Sequence, residues 1–139
     1  MTYFLKEDWC RRWGAVGIVR EVLLVKGDRK EGRISVLFDS GSARSLIKSE
    51  VARDFATPRD LPAPIEIMVA DGHRISCKFY CNLIVEIEGK RIVIQPLLVD
   101  DLPVPLIFGA LDMEAYRIKL DLAKRKLDLS EFTGYLLAL

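Results

Sequence analysis

The chain has 139 residues, half of them apolar, which suffices for one compact domain with a core and is too short for two. Its 21 Lys and Arg residues nearly cancel its 20 Asp and Glu residues, so no net field points to nucleic acid or to an acidic membrane surface. No run approaches the roughly 20 apolar residues that span a bilayer, and the charged, aromatic stretch from Met1 to Gly14 lacks the apolar core of a signal peptide.

Taken in chain order, most of the segments read as strand. Gly17 to Val25 is apolar and β-branched, a turn-rich KGDRKEGR follows, and Arg33 to Phe38 is the next apolar run, so the two form a predicted hairpin. In the segment after it, Ile47, Val51 and Phe55 recur every four residues, which predicts a helical face beside Leu46 that stops at Thr57-Pro58. Ile65 to Ala70 alternates, Asp71-Gly72 supplies a tight turn, and strand resumes at Arg74. Leu83 to Glu88 and Arg91 to Val99 are joined at Gly89-Lys90. A short helix is expected from Ala110 to Tyr116, and RIKLDL and KLDLS then alternate around a turn at Ala123 to Arg125. Many short strands with one main helix and a short second one predict an all-β, closed or folded-over architecture.

The segment that carries chemistry is VLFDSGSARSLI, residues 36–47. An apolar strand runs straight into Asp39, and a carboxylate at such a strand end is costly unless it is hydrogen-bonded or used. Ser40 offers a hydroxyl that can lock neighbouring loops, and Gly41 permits close backbone approach. Taken alone, Asp-Ser-Gly also suits a strand-to-helix turn in which Asp39 or Ser42 caps the helix that follows. A second segment, PLIFGALDMEAYRIKLDL at residues 105–122, places two apolar residues before Gly109, then a helix and an alternating strand.

In this order and spacing, from residue 17 to about residue 130, the chain resembles the retropepsin-like aspartic proteases of retroviruses, retrotransposons and their cellular relatives. Asp39-Ser40-Gly41 matches the family's Asp-Thr/Ser-Gly signature, and Ile107-Phe108-Gly109 matches its second apolar-apolar-Gly element. The resemblance implies a small closed acid-protease barrel over residues 15–139, preceded by an extension at residues 1–14. It implies an endopeptidase that acts on extended polypeptide without metal or cofactor, through two carboxylates that share one proton and activate water. The chain holds one Asp-Ser-Gly, so the second carboxylate is expected from another copy of Asp39 across a two-fold axis.

By the same resemblance, Ser40 braces the two active loops, Gly41 meets the substrate backbone, and Gly109 lets its loop pack beneath them. The tip formed by Asp71, Gly72 and His73 looks like the family's flap, which closes over bound peptide. Ser42 stands where the retroviral enzymes usually carry Ala and many retrotransposon and pepsin-like relatives carry a hydroxyl residue. A hydroxyl there that donates to the outer carboxylate oxygen favours the charged form and extends activity toward acid.

Other features point elsewhere. His73, Cys77 and Cys81 recur every four residues, but on a strand such positions lie roughly 13 Å apart, too far for one tetrahedral ion or a disulfide. With Cys10 they make no disulfide framework, so a reducing cytoplasm is the expected compartment. The apolar tail GYLLAL, residues 134–139, reads equally as an intersubunit strand or as intrachain packing. Residues 1–14 are open to being a disordered extension, a helix on the barrel or an inhibitory leader. The rival to an enzyme is a retropepsin-like domain kept as a dimerisation or peptide-binding module with little turnover.

Overall fold

The computed structural model describes residues 18–68 and 72–134. Strands β1 (Ile18–Lys26) and β2 (Glu31–Asp39) form the expected hairpin, in register from Ile18↔Asp39 to Lys26↔Glu31. The turn between them is fastened to the end of a helix. The Arg29 and Lys30 N–H groups both donate to the Phe55 carbonyl, at 2.9 and 3.2 Å.

After the Asp-Ser-Gly turn the chain forms strand β3 (Leu46–Lys48) and only then helix α1 (Ser49–Phe55). The four-residue recurrence therefore overran the helix at its start. Ile47 is buried as a strand residue, paired with Leu98 and Leu106, and a fully buried β-branched residue suits a strand well. A long edge strand β4 (Arg59–Met68) pairs with β5 (Arg74–Tyr80). It begins six residues earlier than its alternation suggests. Pro62 and Pro64 mask that first half, and they are tolerated because β4 lies at the sheet edge, with a register shift between Asp60 and Ile65.

β6 (Leu83–Ile87) and β7 (Lys90–Ile94) form a two-residue hairpin. Glu88 and Gly89 both take positive φ, 48° and 77°, as a type I′ turn requires. The single strand expected from Arg91 to Val99 divides at Gln95-Pro96, and its second part, β8 (Leu97–Val99), joins β3 instead. A proline lacks the N–H that would continue the ladder, so the chain changes partner there. β9 (Leu106–Phe108), helix α2 (Ala110–Tyr116) and the small hairpin β10 (Lys119–Asp121)–β11 (Lys126–Asp128) complete the fold.

The nine strands run in the order β4-β5-β8-β3-β9-β2-β1-β6-β7. Apolar side chains alternate between two clusters. Val36, Phe38, Ile47, Leu106 and Phe108 face one cluster, which also takes in Leu83, Val85 and Ile94 from the far edge strands. Edge and centre share this core because the sheet folds over on itself. Leu37, Leu46 and Ile107 face the second cluster. The central strands are thus covered on both faces, as their near-continuous apolar sequences require. Each such side chain contributes roughly 1.5–3 kcal/mol of burial.

Candidate active site

Asp39 is the last residue of β2, and its side chain is only 7% exposed. Leu37, two residues earlier, lies on the same face of the strand and belongs to the second cluster. The carboxylate therefore emerges at the border of an apolar floor made by Ile18, Leu37, Leu46 and Ile107. The Gly41 N–H donates to Asp39 Oδ1 at 2.8 Å, and the Ser42 N–H donates to the Asp39 carbonyl at 3.1 Å. Asp39 closes its own turn in this way. It does not cap a helix, since α1 starts ten residues later, after Lys48, and has no side-chain cap.

The parallel pairing of β2 with β9, Val36↔Leu106 to Phe38↔Phe108, brings Asp39 and Gly109 out at the same end of the sheet. The Phe38 and Phe108 rings pack beneath them with centroids 4.8 Å apart. The 39–45 loop is then bolted to the start of α2. The Ala110 N–H donates to the Ser42 carbonyl at 2.7 Å, and the Leu111 N–H to the Ala43 carbonyl at 3.1 Å. Gly109 is in such close contact that a Cβ there would lie 2.4 Å from the Arg44 carbonyl carbon and 2.9 Å from the Ser42 oxygen. Only glycine fits this crossing.

Ser45 completes the clamp, and sequence reasoning passed over it. The residue is 3% exposed, and its hydroxyl accepts from the Gly109 N–H at 3.0 Å and donates to Asp112 Oδ2 at 2.5 Å. Nothing in a lone serine before Leu-Ile signals burial, because the partners stand 64 and 67 residues away. Ser42 differs from expectation. Its hydroxyl donates to the Arg44 carbonyl at 2.8 Å and so spends its one proton within the loop, not on the Asp39 carboxylate.

The β4–β5 hairpin leans over the face that carries Asp39, since its Ile65, Ile67 and Ile75 pack on the second cluster. At its tip Gly72 has φ +90° and open space around it, and His73 is exposed; Asp71 lies outside the described residues, as do residues 1–14 and all of the apolar tail beyond Gly134. Cys77 and Cys81 belong to different clusters, so they line no common site. Burial pushes both thiols up, Cys81 to about 12, and keeps them unreactive. Two clefts, of about 300 and 360 Å³, open elsewhere on the described surface, and Asp39 lines neither. Among the described residues no helix is long and apolar enough to cross a membrane.

A buried carboxylate in a rigid turn, on an apolar floor beneath a hairpin, can hold and polarise a water against an extended chain. The fold agrees with known proteins. The structure matches the EIAV protease complexed with the inhibitor HBY-793 at a TM-score of 0.56 and 19% identity, over 86% of this chain and 98% of that one. It matches the retroviral protease-like domain of Ddi1 from Leishmania major at 0.54 and 17% identity, over 83% and 90% of the two chains. A comparison with curated proteins finds no match. The family model for retroviral aspartyl protease covers residues 17–134, which takes in β1, the Asp39 turn, the hairpin above it and the Gly109 crossing. With that span matched and the fold shared, this chain belongs to the retroviral aspartyl protease family, the retropepsin-like proteases.

Proposed function

We propose that the protein is a homodimeric aspartic endopeptidase in which the Asp39 carboxylates of two copies share one proton and activate a water. The observation that carries this reading is the Asp39 turn itself. Its buried carboxylate is fixed by the Gly41 N–H in a loop clamped through Gly109 and Ser45. Such rigidity suits a group that must stay positioned while charge moves on its neighbour. A single chain supplies one Asp-Ser-Gly, and two carboxylates in contact divide into an acid and a base because both cannot ionise easily. The charged partner takes the proton of the water as that water attacks the peptide carbonyl. The protonated partner gives its proton to the carbonyl oxygen, and the tetrahedral intermediate collapses with protonation of the leaving amine.

In this reading Ser40 braces the paired turns, Gly41 lies against the substrate backbone, and the hairpin tip at Asp71, Gly72 and His73 closes over the chain. The substrate is an extended polypeptide, and a reducing cytoplasm is proposed on cysteine usage alone. The second reading, a dimerising or peptide-binding module of low turnover, draws on the neighbour described as a protease-like domain.

One experiment separates the two. Wild type and Asp39→Asn are incubated with a mixed peptide library from pH 3 to 8 while enzyme concentration is varied. Cleavage lost in Asp39→Asn, and falling faster than linearly on dilution, is the expected result. Equal background cleavage by both proteins supports the binding module, and full activity in a stable monomer overturns the shared site.

A further inference from the structure

Strand β5 is tied to the body of the sheet by a single pair, Tyr80↔Leu97. Beyond that pair the hairpin lifts away from β8, and a cleft of about 360 Å³ opens between β5, the start of α1 and the residues after β8. Asp39 is not among the residues that line it. Cys77 faces the second cluster with Leu37 and Ile107, so its neighbours Ser76 and Lys78 point to the opposite face, and both line the cleft.

Three properties of the cleft go together. Arg53 and Lys78 line it with Asp100 and Asp101, and none of these four charges is in an ion pair among the described residues. Ser49 also lines it, is only 5% exposed, and its hydroxyl makes no hydrogen bond among the described residues. A buried hydroxyl left unbonded carries the desolvation penalty of a hydrogen bond not made, and such groups call for an explanation. Phe79 and Leu98 add an apolar wall, and the volume falls within the usual range of small-molecule sites.

We propose that this cleft is a second ligand site, separate from the peptidase centre, for a small zwitterion with an apolar body: a short peptide with free ends. Its carboxylate meets Arg53 and Lys78, its ammonium meets Asp100 and Asp101, and Ser49 makes the hydrogen bond it lacks. Two cations and two anions around one cleft balance a ligand of both signs, whereas a simple anion or cation would find half of them repulsive. A ligand seated there bears on the hairpin directly, because Ile75, Ser76, Lys78 and Phe79 of β5 form one wall of the cleft.

The test is an NMR titration of the full chain and of its Asp39→Asn variant with leucyl-leucine, so that peptide breakdown does not enter and failure of the peptidase reading leaves the result intact. Saturable amide shifts at Ser76–Phe79 and Asp100–Asp101 are expected. Affinity should fall at least tenfold in Arg53→Gln and in the Asp100→Asn/Asp101→Asn pair, and several-fold in Ser49→Ala. The charged positions are exposed, so these neutral replacements should keep the fold. N-acetyl-leucyl-leucine amide should not bind. No saturation, equal binding of the blocked dipeptide, equal binding of acetate alone, or affinity unchanged in Arg53→Gln would each overturn the proposal.

Discussion

Removing the Ser45 hydroxyl tests the clamp beneath Asp39. In Ser45→Ala the bond to the Asp112 carboxylate is lost, a hydrogen bond to a charged group of the kind that contributes about 1.5–3 kcal/mol. The buried Gly109 N–H also loses its acceptor, and an orphaned buried donor costs about 1–3 kcal/mol. The two effects share one group and do not add fully, so we expect a loss of about 2–4 kcal/mol. With an unfolding entropy near 2.1 cal/mol/K per residue, that is roughly 10 °C in Tm for a chain of this size. Urea denaturation at fixed protein concentration gives the measurement, since dimerisation would make the midpoint depend on concentration. A cycle with Asp112→Asn should show coupling of about 1–2 kcal/mol. A cost below about 0.5 kcal/mol for Ser45→Ala, or simple additivity of the two substitutions, would refute this clamp. Peptidase activity should drop more than stability alone accounts for, because the loop that orients Asp39 loses its fixed contact with α2.

Further outcomes are expected at other positions. Tyr116 guards the outer edge of β7, its hydroxyl donating to the Val93 carbonyl at 2.6 Å and accepting from the Val93 N–H at 3.2 Å. Tyr116→Phe should cost about 1–2 kcal/mol and, by opening an edge strand, should raise light scattering on heating; an unchanged aggregation onset would count against this role. Because the Ser42 hydroxyl is committed to the Arg44 carbonyl, Ser42→Ala should leave the acid limb of the pH–rate profile in place. A shift of that limb would show that the hydroxyl reaches the carboxylate during turnover. The Thr57 hydroxyl and N–H hold the Asp28 carboxyl below its ordinary 3.8. Its folded-state pKa is lowered, so its contribution is complete above that value and is lost as pH falls through the lower one. Asp28→Asn should therefore flatten the fall of the urea midpoint below about pH 3.8 relative to wild type; parallel profiles would refute this.

Local chemistry made part of the molecule legible. The β1–β2 hairpin, helix α2 and the β10–β11 hairpin stand where alternation and turn residues place them, because their patterns are short-range. Ile47 misled because its four-residue spacing with Val51 belongs to a strand that runs directly into a helix. The break at Pro96 and the early start of β4 were hidden because partner choice and edge position are set by distant strands.

The same division holds at the site. Asp39-Ser40-Gly41 and Ile107-Phe108-Gly109 are readable from sequence because close backbone approach demands particular residues at particular positions. Ser45 and Asp112 carry no such mark, since either residue type is ordinary on a surface. Only the tertiary structure buries that serine between the Gly109 N–H and a carboxylate 67 residues away. By itself the sequence determined which carboxylate stands in the family's Asp-Ser-Gly signature. The pairing of β9 with both β2 and β3 decided what keeps that residue still, because it brings the 39–45 loop and Gly109, far apart in the chain, within hydrogen-bonding distance.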